Sequence, residues 1–165
     1  MPVVNNVTRF LDSREVSYEV HELPLEKLGA DEAAEYLGVP VDEVYKTIVV
    51  GRDHVSTGGK GGKAILALVP GSATVDLKML AAFLGEKKVH LPSEREAEHM
   101  TGLQAGGISP LALINRGFQV VIDVSAREYE SIYISGGQRG LDIHIPVQDL
   151  ARLTNAKFGK ISRKA

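Results

Sequence analysis

The chain has 165 residues, enough for one domain with a sizeable core, and its net charge of -2 excludes a broadly basic nucleic-acid-binding surface. It contains no cysteine, which excludes disulfides, a thiolate nucleophile and a cysteine-ligated metal. No apolar run is long enough for a membrane span and residues 1–15 carry no signal-peptide pattern, so we expect a cytoplasmic protein.

The first half of the chain alternates predicted helices and strands. Apolar residues at helical spacing predict a helix over 3–14, and alternating apolar residues predict a strand over 17–22. A second helix is predicted over 31–37, directly before a glycine that can end it. Runs of β-branched and apolar residues predict strands over 44–50 and 64–69.

The second half continues this mixture. Asp76 and Gly85 are suited to begin and end a helix, and Ser93 with Glu96 forms a capping box for the next one. Helices are predicted over 77–84, over 93–101 and from Pro146 or Val147 to Leu153, and strands over 88–91, 119–124, 131–135 and 141–145. No repeat or linker divides the chain, so we predict one α+β domain over 1–165 around a curved sheet.

Two glycine-rich segments are the most informative feature of the sequence. Residues 106–110 read GGISP, and residues 135–140 read SGGQRG. Paired glycines allow positive φ and allow a ligand to approach bare backbone N–H groups, so the two segments suggest a site walled by backbone. Ser109 and Ser135 each adjoin one segment, where a serine either binds a ligand or stabilises a turn.

Lys46 is the strongest single candidate for a functional residue. On a strand it shares a face with Val44, Ile48 and Val50, while Tyr45, Thr47 and Val49 occupy the other face. A lysine on an apolar face either extends to the strand edge or lies in a pocket, where it neutralises an oxyanion or holds a phosphate. The two interpretations remain equally open.

Several familiar motifs fail on spacing. The segment TGGKGGK at 57–63 resembles a phosphate loop, but Lys63 precedes alanine and position 57 is threonine, so a mobile hairpin loop is preferred. No nucleophile elbow surrounds any serine, and the five histidines lack metal-ligand spacing. His144 alternates with isoleucines and is expected on the solvent face of a strand.

Four segments together resemble the YbaK/EbsC family of Cys-tRNA(Pro) deacylases, relatives of the editing domain of prolyl-tRNA synthetases. They are DEAAEYLGV (31–39), YKTIVV (45–50), TGLQAGGISPL (101–111) and ESIYISGGQRGLDIHIPVQDLA (130–151). The resemblance follows nearly the whole chain in order.

The resemblance implies a fold and an activity. The fold is a mixed α+β domain with a strongly curved, barrel-like sheet flanked by helices. The activity is cleavage of the ester of mischarged Cys-tRNA(Pro), with Cys-tRNA(Cys) as a further candidate, by attack of the substrate thiol on its own carbonyl. It implies no cofactor, no metal and no membrane, and as partners the aminoacylated proline tRNA and prolyl-tRNA synthetase.

The resemblance also implies roles for particular residues. Lys46 matches an essential catalytic lysine. Substrate binding falls on nine further residues: Thr47, Val49, Gly106, Gly107, Ile108, Ser135, Gly136, Gly137 and Asp142. Backbone N–H groups near Gly107 and Gly136 are expected to stabilise the oxyanion.

The sequence departs from the family at one position, and two alternative functions stay open. Leu23 stands where some members carry a tyrosine, which removes a pocket hydroxyl. The first alternative is an editing hydrolase for alanine- or serine-charged tRNA that uses a bound water. The second is a non-catalytic module that binds the 3′ end of tRNA.

Overall fold

The computed structural model describes residues 4–52 and 64–165, so the hairpin loop predicted at 57–63 lies outside the described residues. The described chain forms five α-helices: α1 (Asn6–Ser13), α2 (Ala30–Leu37), α3 (Leu77–Leu84), α4 (Glu94–Thr101) and α5 (Val147–Thr154). None of these described helices is long and apolar enough to cross a membrane.

Local signals begin and end these helices as predicted. The Asp76 side chain accepts a hydrogen bond from the Met79 N–H at 2.9 Å, and α3 ends at Gly85 with a φ of 70°. The predicted capping box is present at α4, where the Ser93 hydroxyl accepts from the Glu96 N–H at 3.1 Å. Side chains that occupy the unpaired N–H groups of a first turn stabilise a helix by about 1 kcal/mol.

The described residues also form ten strands in chain order. They are β1 (Glu19–Glu22), β2 (Tyr45–Arg52), β3 (Ile65–Pro70), β4 (Ala73–Val75), β5 (Val89–His90), β6 (Gln119–Asp123), β7 (Ser131–Ser135), β8 (Leu141–Pro146), β9 (Lys157–Gly159) and β10 (Ser162–Lys164). The strands predicted from the sequence are confirmed, and β4, β9 and β10 are additional short strands.

The strands make three hydrogen-bonded sheets. A five-stranded mixed sheet has the order β5-β2-β3-β6-β9, an antiparallel three-stranded sheet has the order β1-β8-β7, and β10 pairs with β4. The α+β class is confirmed. None of these sheets closes on itself within the described residues, so the strongly curved, barrel-like shape stays a prediction.

A single bridge joins the two larger sheets. Val44, just before β2, pairs in parallel with Tyr133 of β7. Beyond this bridge β2 pairs with β3 along one edge and with β5 only at Gly51 and Arg52. Among the described residues, the second edge of β2 therefore has no strand partner from Lys46 to Val50.

The largest core lies between the two sheets and is closed by α1 and α5. Its fully buried members include Leu66, Ile122, Ile134 and Leu150. The alternation predicted around His144 is present, but its side chain is only 26% exposed. The His144 side chain therefore faces solvent only in part, because its ring stacks on Tyr133 with centroids 4.1 Å apart.

Candidate functional site

A cavity of about 420 Å³ opens where the five-stranded and three-stranded sheets separate. One wall is β2 from Tyr45 to Val49, and the opposite wall contains Ser135 at the end of β7 and Asp142 near the start of β8. The remaining sides are formed by the start of α2, by the segment before α4 and by residues 106–110, the first glycine loop. Seven of the ten predicted site residues line it: Lys46, Thr47, Val49, Gly106, Ile108, Ser135 and Asp142.

The unpaired edge of β2 explains why residues from both of its faces reach the cavity. Lys46 and Ile48 share one face, whereas Thr47 and Val49 share the other, yet all four line the cavity. The strand presents its edge to this space, and no strand of the described residues hydrogen-bonds to the backbone groups there. The Thr47 hydroxyl is buried and has no hydrogen-bond partner within the described part of the chain.

Lys46 is a partly buried cation in the cavity wall. Burial lowers the pKa of its ammonium group, and the charge of Asp31 acts in the opposite direction. No carboxylate of the described residues lies within ion-pair distance of Lys46. The structure therefore favours the pocket interpretation of this lysine, whose charge is available to a ligand.

Asp142 and Ser135 lie directly opposite each other in the β7–β8 ladder. Asp142 also lies opposite His21 in the β1–β8 ladder. Burial raises the pKa of the Asp142 carboxyl to about 7. Its oxygens accept no hydrogen bond from the described residues, whereas the Ser135 hydroxyl accepts one from the Gly137 N–H at 3.3 Å.

The strand register aligns the polar residues of the two walls. Lys46 and Ser135 each lie two residues beyond the parallel bridge between Val44 and Tyr133. Because side chains alternate along a strand, both point to the same side of this pair of strands. By this register Lys46, Ser135 and Asp142 occupy one row across β2, β7 and β8. Only Ser135 and Asp142 are paired in a ladder, because, among the described residues, β2 and β7 do not pair beyond the bridge.

The first glycine loop contributes Gly106 and Ile108 to the cavity, but not Gly107. A Cβ at Gly107 would lie 2.8 Å from Gln138 Cα, so this glycine is required by the packing of one glycine loop on the other. Its N–H donates to the Gln104 carbonyl at 2.8 Å. Ser109 is fully buried and its hydroxyl accepts from the Leu111 N–H at 3.2 Å, which makes it a turn-stabilising serine.

The second glycine loop is also used mainly for packing. The Gly136 N–H donates to the Leu141 carbonyl at 2.8 Å, and neither Gly136 nor Gly137 lines the cavity. The Gly107 and Gly136 amides themselves thus donate within the protein, and the expectation that amides near these two glycines stabilise an oxyanion stays a prediction. By contrast, the N–H groups of Gly106 and Ile108 have no acceptor in the described residues.

Two charged residues at the cavity were missed by the sequence reasoning. Lys27 and Glu94 both line it, and the Lys27 ammonium forms an ion pair with the Glu94 carboxylate. The two residues are 67 positions apart, and no motif marks either of them. Leu23 does not line the cavity; it packs beside α2, and its N–H donates to the Gly140 carbonyl at 2.9 Å.

A second cavity of about 550 Å³ lies near the ends of β6 and α5. It includes Arg52, Asn115 and Asn155, and none of the ten predicted site residues lines it. Within residues 4–52 and 64–165, no group of three or more histidine, aspartate or glutamate side chains is arranged to hold a metal ion. The first cavity is therefore the candidate site.

Comparisons with known proteins show which family and fold this chain is similar to. A family model described as the aminoacyl-tRNA editing domain matches residues 26–153. EbsC of Enterococcus faecalis, named as a candidate Cys-tRNA(Pro)/Cys-tRNA(Cys) deacylase, is 32% identical over 161 residues, which are 96% of this chain and 93% of that protein. A proline–tRNA ligase of Staphylococcus aureus is 25% identical over 141 residues, covering 79% of this chain and 23% of the ligase. The crystal structure of a candidate trans-editing enzyme for prolyl tRNA synthetase shares the fold, with a TM-score of 0.78 at 23% identity over 98% of this chain and 99% of that one.

Proposed function

The chain belongs to the aminoacyl-tRNA editing domain family, and we propose that it is a deacylase that cleaves the ester of Cys-tRNA(Pro) in trans. Cys-tRNA(Cys) is the further candidate substrate. The observation that carries the proposal is the row of Lys46, Ser135 and Asp142 in a cavity with an otherwise largely apolar lining.

The cavity suits the end of a charged tRNA. Its volume of about 420 Å³ lies in the range of small-molecule sites, enough for one nucleoside with its attached amino acid. The lining contains few polar groups, which is the pattern expected where a small number of contacts orient a ligand. The unpaired edge of β2 and the amides of Gly106 and Ile108 supply backbone hydrogen-bonding groups to that ligand.

In the proposed reaction the substrate supplies its own nucleophile. The sulfur of the cysteinyl group bonds to the ester carbonyl carbon, and the bond from that carbon to the ribose oxygen then breaks. The thiol proton ends on the released ribose hydroxyl, and cysteine leaves as a cyclic thioester that water can open. The protein holds the sulfur close to the carbonyl, an effect worth several orders of magnitude in rate.

Lys46 and the first glycine loop stabilise the charge that develops on the carbonyl oxygen. Lys46 provides a cation without a carboxylate partner in the described chain, and Gly106 and Ile108 provide free N–H donors. Removal of one oxyanion donor in a preorganised site typically lowers the rate by about 100- to 1000-fold. Lys46 is therefore the catalytic residue, and Thr47, Val49 and Ser135 shape the space around it.

The remaining family-based expectations are proposals of the same kind. They are one domain over residues 1–165 with a strongly curved sheet, a cytoplasmic location, and proline tRNA with prolyl-tRNA synthetase as partners. The similarity to the proline–tRNA ligase of S. aureus supports the choice of tRNA. Gly107 packs on Gln138 of the second glycine loop, whereas Gly136 packs on Leu141 and Gly137 on Val7, so these glycines support the site from outside the cavity.

A deacylation assay on three esters of proline tRNA tests the proposal. The wild-type protein is expected to cleave the cysteinyl ester much faster than the alanyl and seryl esters, because only cysteine carries a thiol. Lys46→Ala is expected to lose this activity while its circular dichroism spectrum is unchanged, and Lys157→Ala, an exposed lysine on β9, serves as the matched control. Faster cleavage of the alanyl or seryl ester favours hydrolysis by water, and binding without cleavage of any ester favours a non-catalytic module.

A further inference from the structure

The charged side chains around the cavity divide into one paired set and one unpaired set. Among the residues that the structure describes, four charged side chains line the cavity, and Lys27 forms an ion pair with Glu94 at one side. Lys46 and Asp142 have no ion-pair partner among the described residues and do not pair with each other. Within the described parts of the chain, Lys46 and Asp142 are thus a cation and a carboxyl that the cavity offers to a ligand without an internal ion-pair partner.

These two charges have fixed positions in the strand register. Lys46 is on β2 and Asp142 is on β8, and Ser135 of β7 lies in the row between them. An aminoacyl ester carries a matching pair of groups on adjacent carbon atoms. Its carbonyl oxygen becomes negative during cleavage, and its α-amino group is a cation when protonated.

We propose that Asp142 binds the α-ammonium group of the aminoacyl ester, and that the site therefore accepts free α-amino esters and rejects N-acylated ones. This inference rests on the proposed function and extends it to a part of the substrate that every amino acid shares. Peptidyl-tRNA, in which the same nitrogen is an uncharged amide, belongs to the rejected class.

The environment of Asp142 suits a cationic ligand. A carboxylate without donors in a partly buried site is costly, which is why burial raises the pKa of Asp142 to about 7. An arriving ammonium group supplies both a positive charge and N–H donors, and so stabilises the ionised form. An N-acyl group supplies neither of these, since its nitrogen is neutral and carries only one N–H.

Stable ligand analogues test the inference without depending on cleavage. The probes are 3′-amino-3′-deoxyadenosine acylated with cysteine or with alanine, each with a free or an acetylated α-amino group. Their amide linkage resists cleavage, so calorimetry reports binding alone. For the wild-type protein, we expect acetylation to weaken binding of both analogues by about ten- to hundredfold.

Asp142→Asn keeps the shape of the side chain and removes its charge. It is expected to weaken binding of the free-amino analogues by a similar factor, and to leave acetylated and free forms within about threefold of each other. Asp149→Asn on α5, outside the cavity, is the control and is expected to keep the wild-type preference. Circular dichroism spectra establish that both variants are folded.

Three outcomes overturn the inference: equal wild-type affinity for free and acetylated forms, an undiminished preference in Asp142→Asn, or no binding of any free-amino analogue. The proposed deacylase function is tested separately by cleavage of Cys-tRNA(Pro). If the protein cleaves Cys-tRNA(Pro) but binds free-amino and acetylated analogues equally well, only the proposed role of Asp142 is wrong. If the protein binds the free-amino analogues more tightly than the acetylated ones but does not cleave Cys-tRNA(Pro), the proposed reaction is wrong and the ammonium site is retained.

Discussion

Gly107 lies against the backbone of Gln138, so that a Cβ at Gly107 would be only 2.8 Å from Gln138 Cα. This contact joins the two glycine-rich loops. A second link lies beside it, because the Arg139 side chain donates to the Ala105 carbonyl at 2.7 Å. The loops therefore support each other, and only Gly106 and Ile108 of the first loop face the cavity.

Gly107→Ala is expected to lower the free energy of unfolding by about 1–3 kcal/mol, because the new methyl group overlaps backbone that cannot easily move. Gly107 does not have a positive φ, so the expected loss of stability comes from steric overlap alone. Deacylation should fall as well, since the displaced loop carries Gly106 and Ile108. Chemical denaturation and the cleavage assay measure the two effects.

Gly38→Ala is the matched control for this substitution. Gly38 has a φ of 70° with no atom within 4 Å of a built Cβ, so alanine there costs about 1 kcal/mol through backbone conformation only. Its deacylation rate should remain that of the wild type. A fully active Gly107→Ala protein with unchanged stability contradicts the contact between the loops.

Asp142 is expected to make stability depend on pH. Its pKa is about 7 in the folded chain and near the ordinary value of about 4 in the unfolded chain. The folded state therefore holds the proton more tightly between these values, and the free energy of unfolding falls as the pH rises from 4 to 7.

Asp142→Asn removes this dependence. We expect the variant to be more stable than the wild type at pH 8, by on the order of 1–3 kcal/mol, and to show little difference at pH 4. Urea denaturation at the two pH values measures the change, with His21 across β1 and Lys46 on β2 kept unaltered. A constant difference between the two proteins at both pH values contradicts the burial of this carboxyl.

The ion pair between Lys27 and Glu94 is expected to contribute little to stability. Both side chains are more than half exposed, at 51% and 57%, so water and salt screen their attraction. A double-mutant cycle with Lys27→Ala and Glu94→Ala should give a coupling energy below about 1 kcal/mol that declines in high salt. A coupling above about 2 kcal/mol, insensitive to salt, argues that the pair clamps this side of the cavity.

A partly buried hydrogen-bond chain beside the site should contribute more to stability than this exposed ion pair. The Tyr45 and Ser125 hydroxyl groups are 2.7 Å apart, and the Ser125 hydroxyl donates to the Asp123 carboxylate at 2.5 Å. The other oxygen of Asp123 accepts the Ile161 N–H at 3.1 Å, which ties β6 to the chain between β9 and β10. Burial raises the pKa of the Tyr45 hydroxyl, which therefore stays protonated and able to donate.

Ser125→Ala breaks this chain and is expected to lower the free energy of unfolding by about 1–3 kcal/mol, because it removes the hydrogen-bond partner of the Tyr45 hydroxyl. Tyr45→Phe should lower the free energy of unfolding less in the Ser125→Ala protein than in the wild type, because the Tyr45–Ser125 hydrogen bond is already absent there. Thermal unfolding of the four proteins of this cycle measures the coupling. Strictly additive effects contradict a connected chain.

Most helices could be predicted because their signals are local. Asp76 and Gly85 lie within one turn of the ends of α3, and the capping box at Ser93 needs only the next three residues. The short strand β10 carries no such signal. It exists because Ser162 pairs with Val75, which lies 87 positions earlier, and three residues alone show no pattern.

The site was predictable to a similar extent. The resemblance identified Lys46, Ser135 and Asp142, and the strand register brings them into one row. The packing role of Gly107 could not be predicted, because its neighbour Gln138 is distant in sequence. A sequence also does not distinguish a glycine that approaches a ligand from one that packs against backbone.

The open edge of β2 has a consequence for solubility as well as for ligand binding. Unpaired strand edges are templates on which further strands can add, and proteins usually cover or charge them. Here the start of α2, the segment before α4 and the first glycine loop border the same cavity as the edge, and so they limit the space in which another strand can add. A change that opens this space would turn the binding edge into a point of self-association, and the same boundary of the sheet would then favour aggregation.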